Sequence, residues 1–142
     1  MNVTKIREAL NYLVAEPLRL DMGVYKSRAY TNETKPPCGT VCCLAGAAII
    51  LEASATGRKF HSIAEPGEEG KCAARLFEIN LPEATRLFHV QYWPTQFKFP
   101  FQKLNYDYYN IKHPHILNYI AKARIGLLQE RVAYFIASQG EQ

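Results

Sequence analysis

Three cysteines, Cys38, Cys42 and Cys43, crowd a short stretch around Gly39-Thr40-Val41. They lead into Leu44-Ala45-Gly46-Ala47-Ala48-Ile49-Ile50-Leu51, an apolar run without a charge. Thiols at the start of a helix face unpaired amides and the positive end of the helix dipole. Both favour the thiolate, which is the nucleophilic and metal-binding form. Pro36-Pro37 hold the chain extended ahead of the turn, and Gly39 permits the turn itself. Thr40 is the expected N-cap, its hydroxyl accepting from the amide of Cys42 or Cys43. Cys42 and Cys43 are then expected in the first helical turn.

Several chemistries compete for this stretch. A cysteine-dependent hydrolase or acyl transferase would use Cys42 or Cys43 and a histidine base. The available histidines are His61, His89, His113 and His115, none of them in a recognisable base motif. Zinc would draw on Cys38, Cys42 or Cys43, Cys72 and one histidine. The Cys-x3-Cys-Cys spacing lacks paired Cys-x2-Cys hooks, and neighbouring helical side chains diverge by about 100°. No metal or cofactor is therefore expected. A small anion would fit the helix start through Gly39, Thr40, Val41 and Cys42, with Arg86, Arg19, Lys35 or Arg75 as countercharge. The packing alternative makes Cys38 and Cys43 small buried residues that lock the turn. Gly46 then lets a second helix come close, at a propensity cost of about 1 kcal/mol.

The surrounding elements follow from periodicity. Val3, Ile6, Leu10, Leu13 and Val14 mark an amphipathic first helix that ends at Glu16-Pro17. After the central apolar helix comes a polar loop, with a short strand expected over Lys59–Ile63. A third helix is expected from about Glu68 to Ile79. Asn80-Leu81-Pro82-Glu83 has the form of a capping box opening a fourth helix. Trp93-Pro94 breaks it. Leu117, Ala121, Ile125, Leu128, Val132 and Phe135 line a long last helix that starts at Pro114 and ends by Gly140. The expected fold is all-α, a single domain over residues 1–142, with about five helices and long irregular connections.

The stretch Cys38 to Gly46 resembles the Cys-Gly-Thr-x-x-Cys-x-Ala-Gly signature of a family of small uncharacterised proteins encoded by bacteria and their phages. Ala15 to Met22 is similar to that family's upstream block. Glu83 to Phe88 and Tyr92-Trp93-Pro94 are similar to its downstream blocks. By position Cys38 and Cys43 fall on the family's two cysteines and Cys42 is an addition. Ala47 stands where the family usually has a large aromatic residue. The resemblance implies an accessory role, brings no established activity, and assigns no catalytic residue.

The region 93–112 is dense in rings: Trp93, Phe97, Phe99, Phe101, Tyr106, Tyr108 and Tyr109, with Lys98, Lys103 and Lys112 among them. Such a tract suits base stacking and phosphate contact, or it seals the core as an irregular wrap. A formal charge of +4 tolerates an acidic partner without requiring one. No apolar run reaches the roughly 18 residues of a membrane span. Four cysteines without a secretory h-region point to a reducing, cytoplasmic setting. The resulting expectation is a cytoplasmic, non-enzymatic binding or regulatory protein. It would dock on a host or cellular protein or capture a small anion near Thr40. Cysteine catalysis and nucleic-acid binding through the aromatic tract are the alternatives.

Overall fold

A computed structural model describes residues 1–23, 27–28 and 40–139, with the backbone alone at Ser27, Arg28 and Thr40. Cys38, Gly39, Lys35 and Gly140 lie outside the described residues. The described residues form an all-α fold of seven helices, where about five were expected, with two 3-10 turns and one two-residue ladder.

Helix α1 (Val3–Ala15) is capped by Asn2, whose side chain accepts from the Lys5 amide, and it buries Ile6, Ala9, Leu10 and Leu13. Glu16-Pro17 stops it, and Pro17–Arg19 make a 3-10 turn. Strand β1 (Ser27–Arg28) pairs antiparallel with β2 (Thr40–Val41), Ser27 opposite Val41 and Arg28 opposite Thr40. Helix α2 (Leu44–Thr56) is buried without interruption from Leu44 to Ile49, as its lack of a polar face requires. It packs between α1 and α4. It ends at Gly57, whose φ of 68° is the left-handed cap conformation that glycine adopts freely.

The expected strand over 59–63 is instead a single helical turn, α3 (Phe60–Ile63), with Phe60 pinned into a small cluster with Ile49, Ala64 and Cys72. One buried ring in an exposed polar stretch anchors a turn but leaves no partner strand to extend it. Helix α4 (Glu69–Phe77) buries Cys72, Ala73, Ala74 and Phe77. The capping box forms as expected at α5 (Leu81–Phe88). Asn80 accepts from the Glu83 amide at 2.8 Å, and Glu83 accepts from the Asn80 amide at 2.9 Å.

A 3-10 turn (Val90–Tyr92) leads to Trp93, which is buried and donates its indole N–H to the Leu87 carbonyl at 3.0 Å. The aromatic tract, expected as an irregular wrap, is a continuous helix, α6 (Thr95–Asn110). Phe97, Phe101 and Tyr108 form its buried stripe, with Leu104 half-buried between them. That 4, 7, 11 spacing is helical and outweighs the alternation of Phe97, Phe99 and Phe101. Pro100 sits inside the helix but is exposed, as is Gln96, the residue four back whose carbonyl a proline cannot pair.

Helix α7 (Pro114–Ala137) opens on an N1 proline and is 24 residues long, about 36 Å of axis. Its apolar stripe carries two arginines, Arg124 and Arg131, that are both fully buried. Arg124 donates from Nη2 to the Leu20 carbonyl and lies over the Tyr108 ring at 4.0 Å. Arg131 donates from Nη2 to the Arg86 carbonyl at 2.8 Å, with the rings of Trp93, Phe97 and Phe135 within 5.7–5.9 Å. Each guanidinium therefore ties α7 to a distant backbone carbonyl and stacks on aromatic faces. No helix among the described residues is long and apolar enough to cross a membrane.

Candidate functional site

The start of α2 lies about one turn later than the sequence suggests. Thr40 and Val41 are in β2, and Cys42 forms an isolated parallel bridge with Leu20. The Cys42 amide donates to the Arg19 carbonyl at 2.8 Å, and its carbonyl accepts from Asp21 at 2.9 Å. These pairings hold residues 40–42 extended, so Cys43 takes the N-cap that was expected of Thr40. Its Sγ accepts from the Gly46 amide at 3.4 Å, and its carbonyl accepts from Ala47 at 2.9 Å.

This arrangement bears on each chemistry expected of the stretch. An anion at Thr40, Val41 and Cys42 needs free amides, and the Cys42 amide is already paired with a backbone carbonyl. The Gly46 amide is used by the Cys43 thiol. Cys42, Cys43, Leu44 and Ala45 are all buried, so the helix start does not open to solvent there. Arg86 is on α5, where its carbonyl receives Arg131. Gly46 is buried inside the first turn of α2.

The thiols also differ from the expectation of a low pKa. Burial pushes the Cys43 thiol up to about 11, and the hydrogen bonds from the Gly46 and Ala45 amides only partly offset it. At neutral pH roughly one molecule in ten thousand would carry the thiolate. Cys72 is likewise raised by burial, and its Sγ donates to the Ile63 carbonyl at 3.5 Å. Among the described residues no group of three or more His, Cys, Asp or Glu side chains could hold a metal ion.

What the fold builds beside Cys43 is a cavity of about 410 Å³. Met22, Cys43, Phe88, Val90 and Phe101 give it apolar walls. His89, Gln91, Gln102 and Asn105 supply hydrogen-bonding groups. No Lys, Arg, Asp or Glu is among these described lining residues. Three segments converge there. The α2 cap brings Cys43, and the break between α5 and α6 brings residues 88–91. One face of α6 brings Phe101, Gln102 and Asn105, which are i, i+1 and i+4. Phe101 is fixed edge-on against Trp93, with ring centroids 5.0 Å apart, so the wall is supported from behind. A larger hollow of about 560 Å³ lies beside Arg58 to Ser62, but those residues are mostly exposed and would enclose a ligand less completely.

Of the residues singled out in the sequence, Cys43, His89 and Phe101 line the 410 Å³ cavity, and Trp93 supports it through Phe101. Gln91, Gln102 and Asn105 carry no sequence signal, and nothing in the chain order shows that they meet Met22, Cys43 and Phe88. His61, His113 and His115 are exposed on other elements, and His89 is the histidine that shares the cavity with Cys43. Comparison with family models, with curated proteins and with solved structures finds no match to this chain, so the site is read from its own geometry.

Proposed function

We propose that the protein is a non-enzymatic binding protein that takes a small, neutral, partly apolar ligand in the cavity beside Cys43. The observation that carries this reading is the lining. A volume of about 410 Å³ falls within the range of small-molecule sites, and apolar walls with a few converging polar groups are their usual composition. The side-chain amides of Gln91, Gln102 and Asn105 offer both donors and acceptors, which suits an amide- or hydroxyl-bearing ligand. Cys43 serves as wall and helix cap. This replaces capture of an anion at Thr40 by capture of a neutral ligand a few residues further on, and keeps the binding role.

The test is a ligand-observed NMR screen of neutral heteroaromatic amides against the native protein. Hits should be lost in Gln102→Ala and Asn105→Ala and kept in an exposed control such as Lys71→Ala. Hits that survive both cavity variants would reject the site.

A cysteine-dependent acyl transfer has one observation in its favour, that His89 and Cys43 line the same cavity. Turnover of an activated ester that is abolished by Cys43→Ala and by His89→Ala would replace the binding reading with that one.

A further inference from the structure

The outer side of α6 is as unusual as its inner side. Phe99 and Tyr106 are 58% and 65% exposed and lie opposite the buried Phe97, Phe101 and Tyr108. Large rings so open to water are a feature that core packing does not require. Each is accompanied by a cation. The Lys98 ammonium is 5.1 Å from the Phe99 ring centroid, and the Lys103 ammonium is 5.9 Å from that of Tyr106. The two ring–ammonium pairs are seven residues apart between rings, which is two helical turns or about 10 Å.

The charge of the region is one-sided. Between Glu83 and Glu130 the sequence holds one acid, Asp107, against Arg86, Lys98, Lys103, Lys112, Lys122 and Arg124. Arg124 is internal, and Asp107 is bound to Lys103 at 2.8 Å. Lys103, Lys112 and Lys122 are exposed. The outer face of α6 therefore offers two exposed rings with a lysine beside each, and its acid, Asp107, is held by Lys103.

We propose that the outer face of α6 binds single-stranded nucleic acid, with bases stacking on Phe99 and Tyr106 and phosphates meeting Lys98, Lys103 and Lys112. A nucleotide presents a π-face and an anion a short distance apart, which is what each ring–lysine pair complements. A duplex hides its base faces and would meet only the lysines. Stacking on any base makes the contact tolerant of sequence. This surface is separate from the cavity, so either reading can fail alone.

The experiment is fluorescence anisotropy with a labelled oligothymidylate and the intact protein. Binding is expected at low salt. With about three phosphates neutralised, a fourfold rise in salt should weaken it roughly twentyfold. Phe99→Ala and Tyr106→Ala should each weaken it about tenfold at fixed salt. Lys98→Gln with Lys103→Gln should flatten the salt dependence. All four positions are on the solvent side, and an unchanged helical circular dichroism signal checks that each variant is folded. Absence of a complex at low salt would overturn the proposal. So would binding that ignores both ring substitutions, or duplex binding as tight as single-strand binding. Flotation with phosphatidylserine vesicles without oligonucleotide binding would also overturn it and assign the face to a lipid surface.

Discussion

Raising the pH tests the description of Cys43 directly. A free thiol with a pKa near 8.5 is about one quarter ionised at pH 8. Held at about 11 by burial, Cys43 is ionised to roughly one part in a thousand at that pH. Ionisation alone then slows its alkylation by roughly two-hundredfold, before any steric protection. The same shift has a thermodynamic face. The folded protein holds the Cys43 proton more tightly than the unfolded chain does. Its contribution is fully present below the unfolded pKa of about 9 and is lost as pH rises through about 11. Two units correspond to a loss on the order of 3 kcal/mol across that window. Iodoacetamide labelling of the native protein, read by peptide mass spectrometry at each cysteine, gives the rate. Urea midpoints from pH 8 to 11, wild type against Cys43→Ala, give the linkage, because subtraction removes the tyrosines that titrate in the same range. Labelling of Cys43 at a free-thiol rate with an apparent pKa below 8.5 would refute the reasoning. Wild-type and Cys43→Ala midpoints that fall in parallel would refute it equally.

Other perturbations separate the remaining parts of the argument. Asn80→Ala removes the capping box of α5 and should cost about 1 kcal/mol in urea unfolding. Arg124→Ala leaves the Leu20 carbonyl unpaired and a hole against Tyr108, at a cost of about 3–5 kcal/mol. Arg124→Met fills the space but still leaves the Leu20 carbonyl without its donor, so it should cost less, about 1–3 kcal/mol by the same assay. Two glycines should respond with opposite sign to alanine. Gly57→Ala places a side chain at φ 68° and should destabilise by about 1 kcal/mol, although the added methyl meets nothing. Gly126→Ala, inside α7 with open space around it, should stabilise by up to about 1 kcal/mol, seen as a raised thermal midpoint.

Local signals in the chain agree with the fold where the physics is local. Asn80 with Glu83, Pro114 at the first turn of α7, and the unbroken apolar run of α2 each act within a few residues. The start of α2 differs from the local pattern because its competitor is remote. Cys42 is held extended by Arg19 and Asp21, two dozen residues upstream in the chain, and no local propensity reports that. The helix α6 was hidden by Pro100 and by three phenylalanines spaced by two, which imitate an alternating pattern. Its true stripe, Phe97, Phe101 and Tyr108, emerges only when the exposed rings are set aside. The cavity was not legible at all, since its walls come from positions near 22, 43, 90 and 102 that only the folded chain assembles. Nor were the buried arginines, because a charge on an apolar stripe reads as the edge of a solvent face.

Those two arginines also bear on the order in which the molecule is completed. Arg124 reaches a carbonyl 104 residues earlier in the chain, and Arg131 one 45 residues earlier. During synthesis the chain runs from α1 toward α7, so the bonds from Arg124 to the Leu20 carbonyl and from Arg131 to the Arg86 carbonyl form only after α7 leaves the ribosome. A nascent chain carrying α1 to α6 would expose the Trp93, Phe97 and Phe101 surface that α7 later covers. Helix α7 thus completes this helical core after α1 to α6 have been made, and a stalled chain that lacks it leaves that aromatic surface bare.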